Sequence, residues 1–139
     1  IDSSLMYGNE RQVGNLLGQY FADGRLTRDD IFVTTKVGHP PTQDFPDART
    51  HYLYREDLSA YEGVMQEAVK SLDNLGLGYV DLLLIHWPGL FDDASRYPKD
   101  WAVKTPAKEV ARRKRVEMWA GLERLYEMKL ARAIGVSNF

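Results

Sequence analysis

The chain has 139 residues, enough for one domain, and its 44% hydrophobic and 27% charged composition is typical of a folded globular protein. Its net charge of −2 argues against a dedicated nucleic-acid binder, and no apolar run is long enough to cross a membrane. The absence of cysteine excludes disulfides, thiolate metal sites and cysteine nucleophiles, and it favours the cytoplasm. We therefore predict a cytoplasmic protein with neither a nucleic-acid nor a membrane partner.

Apolar periodicity predicts helices that alternate with short apolar strands along the chain. In chain order we expect a helix over residues 9–22, a strand over 31–35, a helix over 59–75, a strand over 79–85, a helix from about 105, and a strand over Ala131–Val136. Strands that are apolar on both faces suit a parallel sheet covered by helices. The alternation therefore predicts an α/β fold with a parallel sheet.

Polar side chains stand where the predicted strands end. Lys36 and His86 follow the first two strands, Ser137 and Asn138 follow the third, and Asp2 and Tyr7 precede the first helix. Two long loops, 38–56 and 88–104, begin at the same points. Because the carboxyl ends of parallel strands share one rim, where sites of α/β proteins lie, we expect these residues to converge there.

Two other signals have ordinary interpretations. His39 and His51, with nearby aspartates, match no metal-ligand spacing, so we predict polar loop residues and no metal site. The basic run over residues 111–115 is flanked by Glu109 and Glu117, so we predict a solvated helix face. No GxGxxG motif follows a strand, and a Rossmann-type dinucleotide site is therefore unsupported.

Four motifs in order along the chain resemble the successive signatures of the aldo-keto reductases, in particular of the aldose- and aldehyde-reductase-like members. They are Asp2-Ser-Ser-Leu-Met-Tyr7-Gly-Asn-Glu10, Thr35-Lys36, Leu84-Ile-His86-Trp87-Pro88 and Ile134-Gly-Val-Ser137-Asn138-Phe139. The resemblance covers essentially the whole chain, and the agreement of four separate motifs makes it specific.

The resemblance implies a (β/α)8 barrel of which residues 1–139 supply roughly strands 2–5 with their intervening helices. Such a barrel needs about 250 residues, so we expect residues 1–139 to form an incomplete domain. We expect that segment, tested alone, to bind NADPH weakly and to reduce aldehydes poorly. The implied activity is NAD(P)H-dependent reduction of aldehydes or ketones to alcohols, with NADPH/NADP as the expected cofactor and a small carbonyl compound as the substrate.

Residue by residue, the resemblance implies a catalytic tetrad of Asp2, Tyr7, Lys36 and His86. Tyr7 would give its proton to the carbonyl oxygen while the cofactor delivers a hydride to the carbon. A lone phenol releases its proton only near pH 10, and an adjacent Lys36 ammonium would make that release easier. Asp2 would hold Lys36 in place, and His86 would hydrogen-bond the carbonyl oxygen.

The resemblance also implies the neighbouring contacts. Ser137 and Asn138 would bind the nicotinamide carboxamide, with Asp2 also beside the cofactor. Tyr7, His86 and Trp87 would line the substrate pocket. Ser4 stands where the family usually has alanine, a small change that we expect to be tolerated.

The loop over residues 38–56 is longer than the family norm, and Val37-Gly38 follows Lys36 where many members of the family have a residue pair ending in tryptophan. Tyr52 and Tyr54 of this loop are our candidates for the missing wall of the substrate pocket. Two alternatives to a carbonyl reductase stay open from sequence: a regulatory or interaction subunit on the same fold, and an inactive truncated product.

Overall fold

Helices and parallel strands alternate in the computed structural model, which describes residues 1–40, 51–53, 55–89 and 107–139. Short 3-10 turns cover Leu5–Tyr7 and Arg28–Asp30. In chain order the longer elements are α1 (Glu10–Ala22), β1 (Thr34–Val37), α2 (Ala60–Leu75), β2 (Val80–Ile85), α3 (Lys108–Glu127) and β3 (Ala131–Val136). The start predicted for the third helix near residue 105 lies outside the described residues.

The three strands form one parallel sheet in the order β1-β2-β3, as the alternation of elements predicts. The register sets Lys36 opposite Leu84, and Leu84 opposite Gly135, so the carboxyl ends of the strands are level. Asp2 forms a further parallel bridge to Thr34, which places the first residues of the chain beside β1. The α/β class with a parallel sheet is confirmed.

The first strand begins later than its sequence suggests, at Thr34 and not at residue 31. The Val33 N–H donates to the Asp81 carboxylate at 2.8 Å, and the Val33 carbonyl accepts from the backbone N–H groups of both Asp81 and Leu82. A side chain thus takes the place of a regular ladder partner at Val33, and Phe32 before it is 59% exposed. The strand also ends later than predicted, at Val37 and not at residue 35, so Lys36 lies within β1 and not after it.

Capping explains where the helices begin and end. The Ser59 hydroxyl accepts the Glu62 N–H at the start of α2, and Gly76 ends that helix in the left-handed conformation. Asn9 stands at the N-cap of α1, but its side chain accepts from the Ser3 hydroxyl and does not cap the helix. None of the helices within the described ranges is both long and apolar enough to span a bilayer.

The hydrophobic core lies between the sheet and helices α2 and α3. It contains Val37 of β1, Leu83 and Ile85 of β2, and Met118 and Leu122 of α3, all almost completely buried. Because side chains alternate across a strand, Lys36 and Leu84 point to the opposite face from these core residues. The core thereby fixes the strands that carry the polar rim.

A buried carboxylate joins the sheet at the amino end of β2. Asp81 accepts from the Val33 N–H, from Arg28 at 2.6 Å and from Arg132 at 3.4 Å. Burial alone would raise the pKa of Asp81, but the hydrogen bonds from Val33 and Arg28 outweigh it and hold the pKa below the ordinary 3.8. Asp81 therefore stabilises the fold in its ionised form.

Asp81→Ala is expected to lower the free energy of unfolding by about 2–3 kcal/mol, because it leaves the buried Val33 N–H without an acceptor and removes the counterion of the Arg28 guanidinium. Urea unfolding followed by circular dichroism measures this loss, with Asp73→Ala on the exposed face of α2 as the matched control. Since the pKa is lowered in the folded state, the contribution of Asp81 is present above about pH 4 and is lost as the pH falls further. Equal losses for both variants would contradict the prediction.

Candidate active site

Lys36 and Asp2 form the charged centre of the rim. The Lys36 ammonium donates to the Asp2 carboxylate and to the Ser3 carbonyl, the latter at 2.9 Å. The lysine side chain is 8% exposed, whereas that of Asp2 is 68% exposed. The ammonium is therefore shielded from water and held by two acceptors, while its counterion remains solvated.

Tyr7 reaches the same ammonium from the 3-10 turn over Leu5–Tyr7. Its hydroxyl lies 3.5 Å from Lys36 Nζ, and the ammonium lies 5.0 Å from the centre of the phenol ring. The turn closes with the Tyr7 N–H donating to the Ser4 carbonyl, and Gly8 ends it at φ +69°. The phenol is 48% exposed, so its hydroxyl is accessible beside a fixed positive charge.

His86 lies against these residues from the carboxyl end of β2. The backbone N–H of His86 donates to the Val37 carbonyl at 2.7 Å, which extends the hydrogen bonding between β1 and β2 by one residue beyond β2. The imidazole meets the Tyr7 ring edge-to-face with 5.7 Å between ring centroids. Burial, and then the charge of Lys36, lower the pKa of His86, so the ring is neutral at neutral pH.

The end of β3 adds Ser137 and Asn138 to the same place. The Ser137 N–H donates to the Ile85 carbonyl at 2.8 Å, and the Asn138 amide donates to the His86 carbonyl at 2.8 Å and to the Ser137 hydroxyl at 3.0 Å. Asn138 adopts φ +59°, a left-handed conformation that asparagine tolerates. These contacts fix a hydroxyl and an amide immediately beside the histidine.

Two aromatic rings complete the surroundings of His86. Trp87 is half-buried, and its ring lies 6.3 Å from that of His86. The His39 ring lies 5.1 Å from His86 and 6.3 Å from Trp87, closer to the site than a solvated loop residue would be. Burial and the neighbouring His86 lower the pKa of His39 to about 4, so this ring is neutral as well.

The prediction that Tyr52 forms a wall of the substrate pocket is wrong. Its ring is 6% exposed and packs against Gly63, while its hydroxyl donates to Glu67 at 3.1 Å. Glu67 also accepts from the Gly38 N–H at 2.7 Å and contacts His51 at 3.0 Å. Tyr52 therefore anchors the loop to α2, because its hydroxyl needs a buried partner. Tyr54, the other candidate, lies outside the described residues.

The structure brings all the predicted site residues to one end of the sheet: Asp2, Tyr7, Lys36, His86, Trp87, Ser137 and Asn138. Two neighbours to which the sequence assigned no role lie at the site: the buried Ser4, whose hydroxyl contacts His86 at 3.0 Å, and His39, predicted as a polar loop residue. A polar side chain three residues before Tyr7, in the same motif, is the signal that could have indicated Ser4. Chemically, the cluster offers an accessible phenol, a shielded ammonium and a neutral imidazole.

A model of the Aldo/keto reductase family matches residues 1–139. The chain belongs to the aldo/keto reductase family. Among its relatives, aldose reductase C of Dictyostelium discoideum is 33% identical over the whole chain, which covers 39% of that protein. A 9,11-endoperoxide prostaglandin H2 reductase of Trypanosoma cruzi is 35% identical, with 34% of its length covered.

Solved structures of aldo-keto reductases are similar as well. The Bombyx mori aldo-keto reductase in complex with NADP is 32% identical with a TM-score of 0.67, and the aldose reductase of Giardia lamblia is 28% identical with a TM-score of 0.67. This chain is covered completely in both comparisons, but it spans 36% and 40% of those chains. The chain thus spans less than half the length of the reductases that it matches.

Proposed function

We propose that this chain is part of an oxidoreductase that uses NADP(H) to reduce aldehyde or ketone carbonyls to alcohols. The observation that carries the proposal is the contact of Asp2, Lys36 and Tyr7 in series, beside the neutral His86. Two further findings support it: relatives are named aldose reductase, and a similar reductase binds NADP in its solved structure.

We also propose that residues 1–139 supply about four strands of a (β/α)8 barrel. Three parallel strands with two connecting helices support this placement, and the Asp2–Thr34 bridge marks a fourth neighbour of β1. In that fold the active site lies at the carboxyl ends of the strands, the end at which Lys36 and His86 lie. Coverage of about a third of the relatives agrees with a partial barrel.

In this reaction Tyr7 acts as the general acid. Its hydroxyl gives a proton to the carbonyl oxygen as negative charge develops there, and the phenol carries negative charge afterwards. The Lys36 ammonium, 3.5 Å away, stabilises that charge, and it is shielded enough for the attraction to be strong. Asp2 and the Ser3 carbonyl keep the ammonium in position throughout.

His86 orients the substrate in this mechanism. A neutral imidazole can donate one hydrogen bond to the carbonyl oxygen, which fixes the oxygen beside the Tyr7 hydroxyl. The ring is neutral because burial and Lys36 lower the pKa of His86. Trp87, half-buried next to the histidine, provides an apolar wall for the remainder of the substrate.

Bound NADPH would supply the hydride for the carbonyl carbon. A nicotinamide carboxamide contains one donor group and one acceptor, and the side chains of Ser137 and Asn138 offer complementary groups. The Asn138 amide nitrogen donates to the His86 carbonyl and to the Ser137 hydroxyl, which leaves the Asn138 carbonyl oxygen to accept and the Ser137 hydroxyl to donate, a pair that fits a nicotinamide carboxamide. Asp2, 68% exposed on its side chain, is our third candidate for a cofactor contact.

The test uses the complete enzyme, NADPH and a simple aromatic aldehyde. We expect NADPH to be consumed and the corresponding alcohol to form in equal amounts. A parallel assay with NADH compares the two cofactors. Tight NADPH binding without turnover would instead support a regulatory subunit, and the absence of both would support an inactive product. Cell fractionation tests the cytoplasmic location that the sequence predicts.

A further inference from the structure

Ser4 lies at the junction of the three elements that form the site. It is completely buried, and it is the N-cap of the turn that carries Tyr7. Its hydroxyl oxygen lies 3.2 Å from the Met6 nitrogen, 3.0 Å from His86 Nδ1 and 3.4 Å from the carbonyl oxygen of Lys36. Ser4, whose replacement of the usual alanine is expected from sequence to be tolerated, therefore contacts the proposed catalytic imidazole directly.

Counting protons decides how the hydroxyl is used. A serine hydroxyl has one proton to donate and two lone pairs to accept, and the Met6 N–H occupies one lone pair. The single proton goes either to His86 Nδ1 or to the Lys36 carbonyl. At 3.4 Å the carbonyl is beyond the usual O–H···O range of about 2.5–3.0 Å, whereas the imidazole nitrogen at 3.0 Å is within hydrogen-bonding reach. The distances therefore favour donation from the hydroxyl to Nδ1.

A neutral imidazole that accepts at Nδ1 carries its proton on Nε2. His86 is 5% exposed, so water does not compete with Ser4 for Nδ1. We propose that Ser4 is a positioning residue that fixes His86 as the Nε2-protonated tautomer and thereby makes it a hydrogen-bond donor to the carbonyl oxygen. The role in the reaction rests on the proposed function, whereas the tautomer does not.

The opposite arrangement has a different consequence. If His86 donated from Nδ1 to Ser4, the hydroxyl would accept twice and would have to donate to the distant Lys36 carbonyl. Nε2 would then be an acceptor, which could not donate to a substrate oxygen. The two arrangements place the imidazole proton on different nitrogens, and that difference can be measured.

Nitrogen NMR of the complete enzyme, labelled with ¹⁵N in its histidine rings, tests the tautomer. Signals that disappear in His86→Asn belong to His86. We expect the shifts of an Nε2-protonated ring in the wild type and displacement toward a mixture of tautomers in Ser4→Ala. Ser3→Ala is the matched control, because its buried hydroxyl donates to Asn9, and we expect it to leave the tautomer unchanged. A wild-type ring protonated on Nδ1, or no change in Ser4→Ala, would overturn the proposal.

Kinetics test the role in the reaction. Ser4→Ala is expected to lower kcat for aldehyde reduction about 3- to 10-fold, the usual value of one neutral hydrogen bond, with NADPH affinity unchanged. Ser4→Thr keeps the hydroxyl and is expected to retain most of the wild-type kcat. If the added methyl group of threonine does not fit at this buried position, Ser4→Cys, which adds no methyl group and keeps a weak donor, is the replacement variant. An unchanged kcat in Ser4→Ala would overturn the positioning role. An inactive wild type would refute the proposed function and leave the NMR result standing.

Discussion

Tyr7→Phe is expected to reduce the turnover of aldehydes by the complete enzyme about 10²–10⁴-fold, the usual contribution of general acid catalysis. Phenylalanine keeps the ring that contacts His86 and removes only the hydroxyl beside Lys36. NADPH affinity, measured by fluorescence titration, should change little because the phenol is not among the proposed cofactor contacts. Steady-state rates with a simple aromatic aldehyde measure the loss.

The control for this variant is Tyr126→Phe, which removes a hydroxyl from a 53% exposed ring on α3. Tyr126 borders a surface pocket with Tyr79 and Arg132, near the amino ends of the strands and therefore away from the candidate active site. The Tyr126→Phe variant should have the same turnover as the wild type. Wild-type turnover by Tyr7→Phe would show that another group donates the proton, and the assignment of Tyr7 would then be wrong.

Lys36→Met is expected to cost about 10²–10³-fold in turnover, because loss of one preorganised electrostatic group at a developing charge has an effect of that size. The phenol would lose the only ammonium that the described residues place against its hydroxyl. Folding should tolerate the change, since the Asp2 carboxylate left behind is 68% exposed and remains hydrated. Thermal unfolding and steady-state rates together separate the two effects.

A double variant sharpens this prediction. If Lys36 acts through Tyr7, Lys36→Met should cost much less in the Tyr7→Phe background than in the wild type, because groups that act as a unit are not additive. Lys70→Met, which removes an exposed ammonium from α2, is the matched control. Losses that multiply in the double variant would show that Lys36 acts independently of the phenol.

The rim of polar residues could be predicted from sequence because parallel strands end at the same edge of a sheet. That rule needs only the positions of Lys36, His86 and Ser137 relative to apolar segments, and the observed register agrees with it. The start of β1 could not be predicted in this way. It depends on the Asp81 side chain, which is distant in sequence and satisfies the backbone of Val33.

Contacts between distant residues also explain what was missed at the site. The role of Ser4 depends on a ring 82 positions away in sequence; the local motif shows a polar side chain near Tyr7 but not the group that it contacts. The sequence makes Tyr52 a candidate for the pocket wall because it lies in the long loop after Lys36, where the tryptophan of many relatives is absent. The true partner of Tyr52, Glu67, is on the next helix, and only the packing of that helix shows that the ring faces inward.

The residues at the two ends of β2 have different roles. Asp81, near the first residue of the strand, holds the neighbouring strands together, while His86, just past the last, belongs to the proposed reaction. About 3.3 Å of rise per residue separates the two by roughly 16 Å, beyond the distance at which substitutions usually influence each other. Substitutions around Asp81 that change the heat tolerance of the protein are therefore expected to leave the proposed reaction at His86 unaffected.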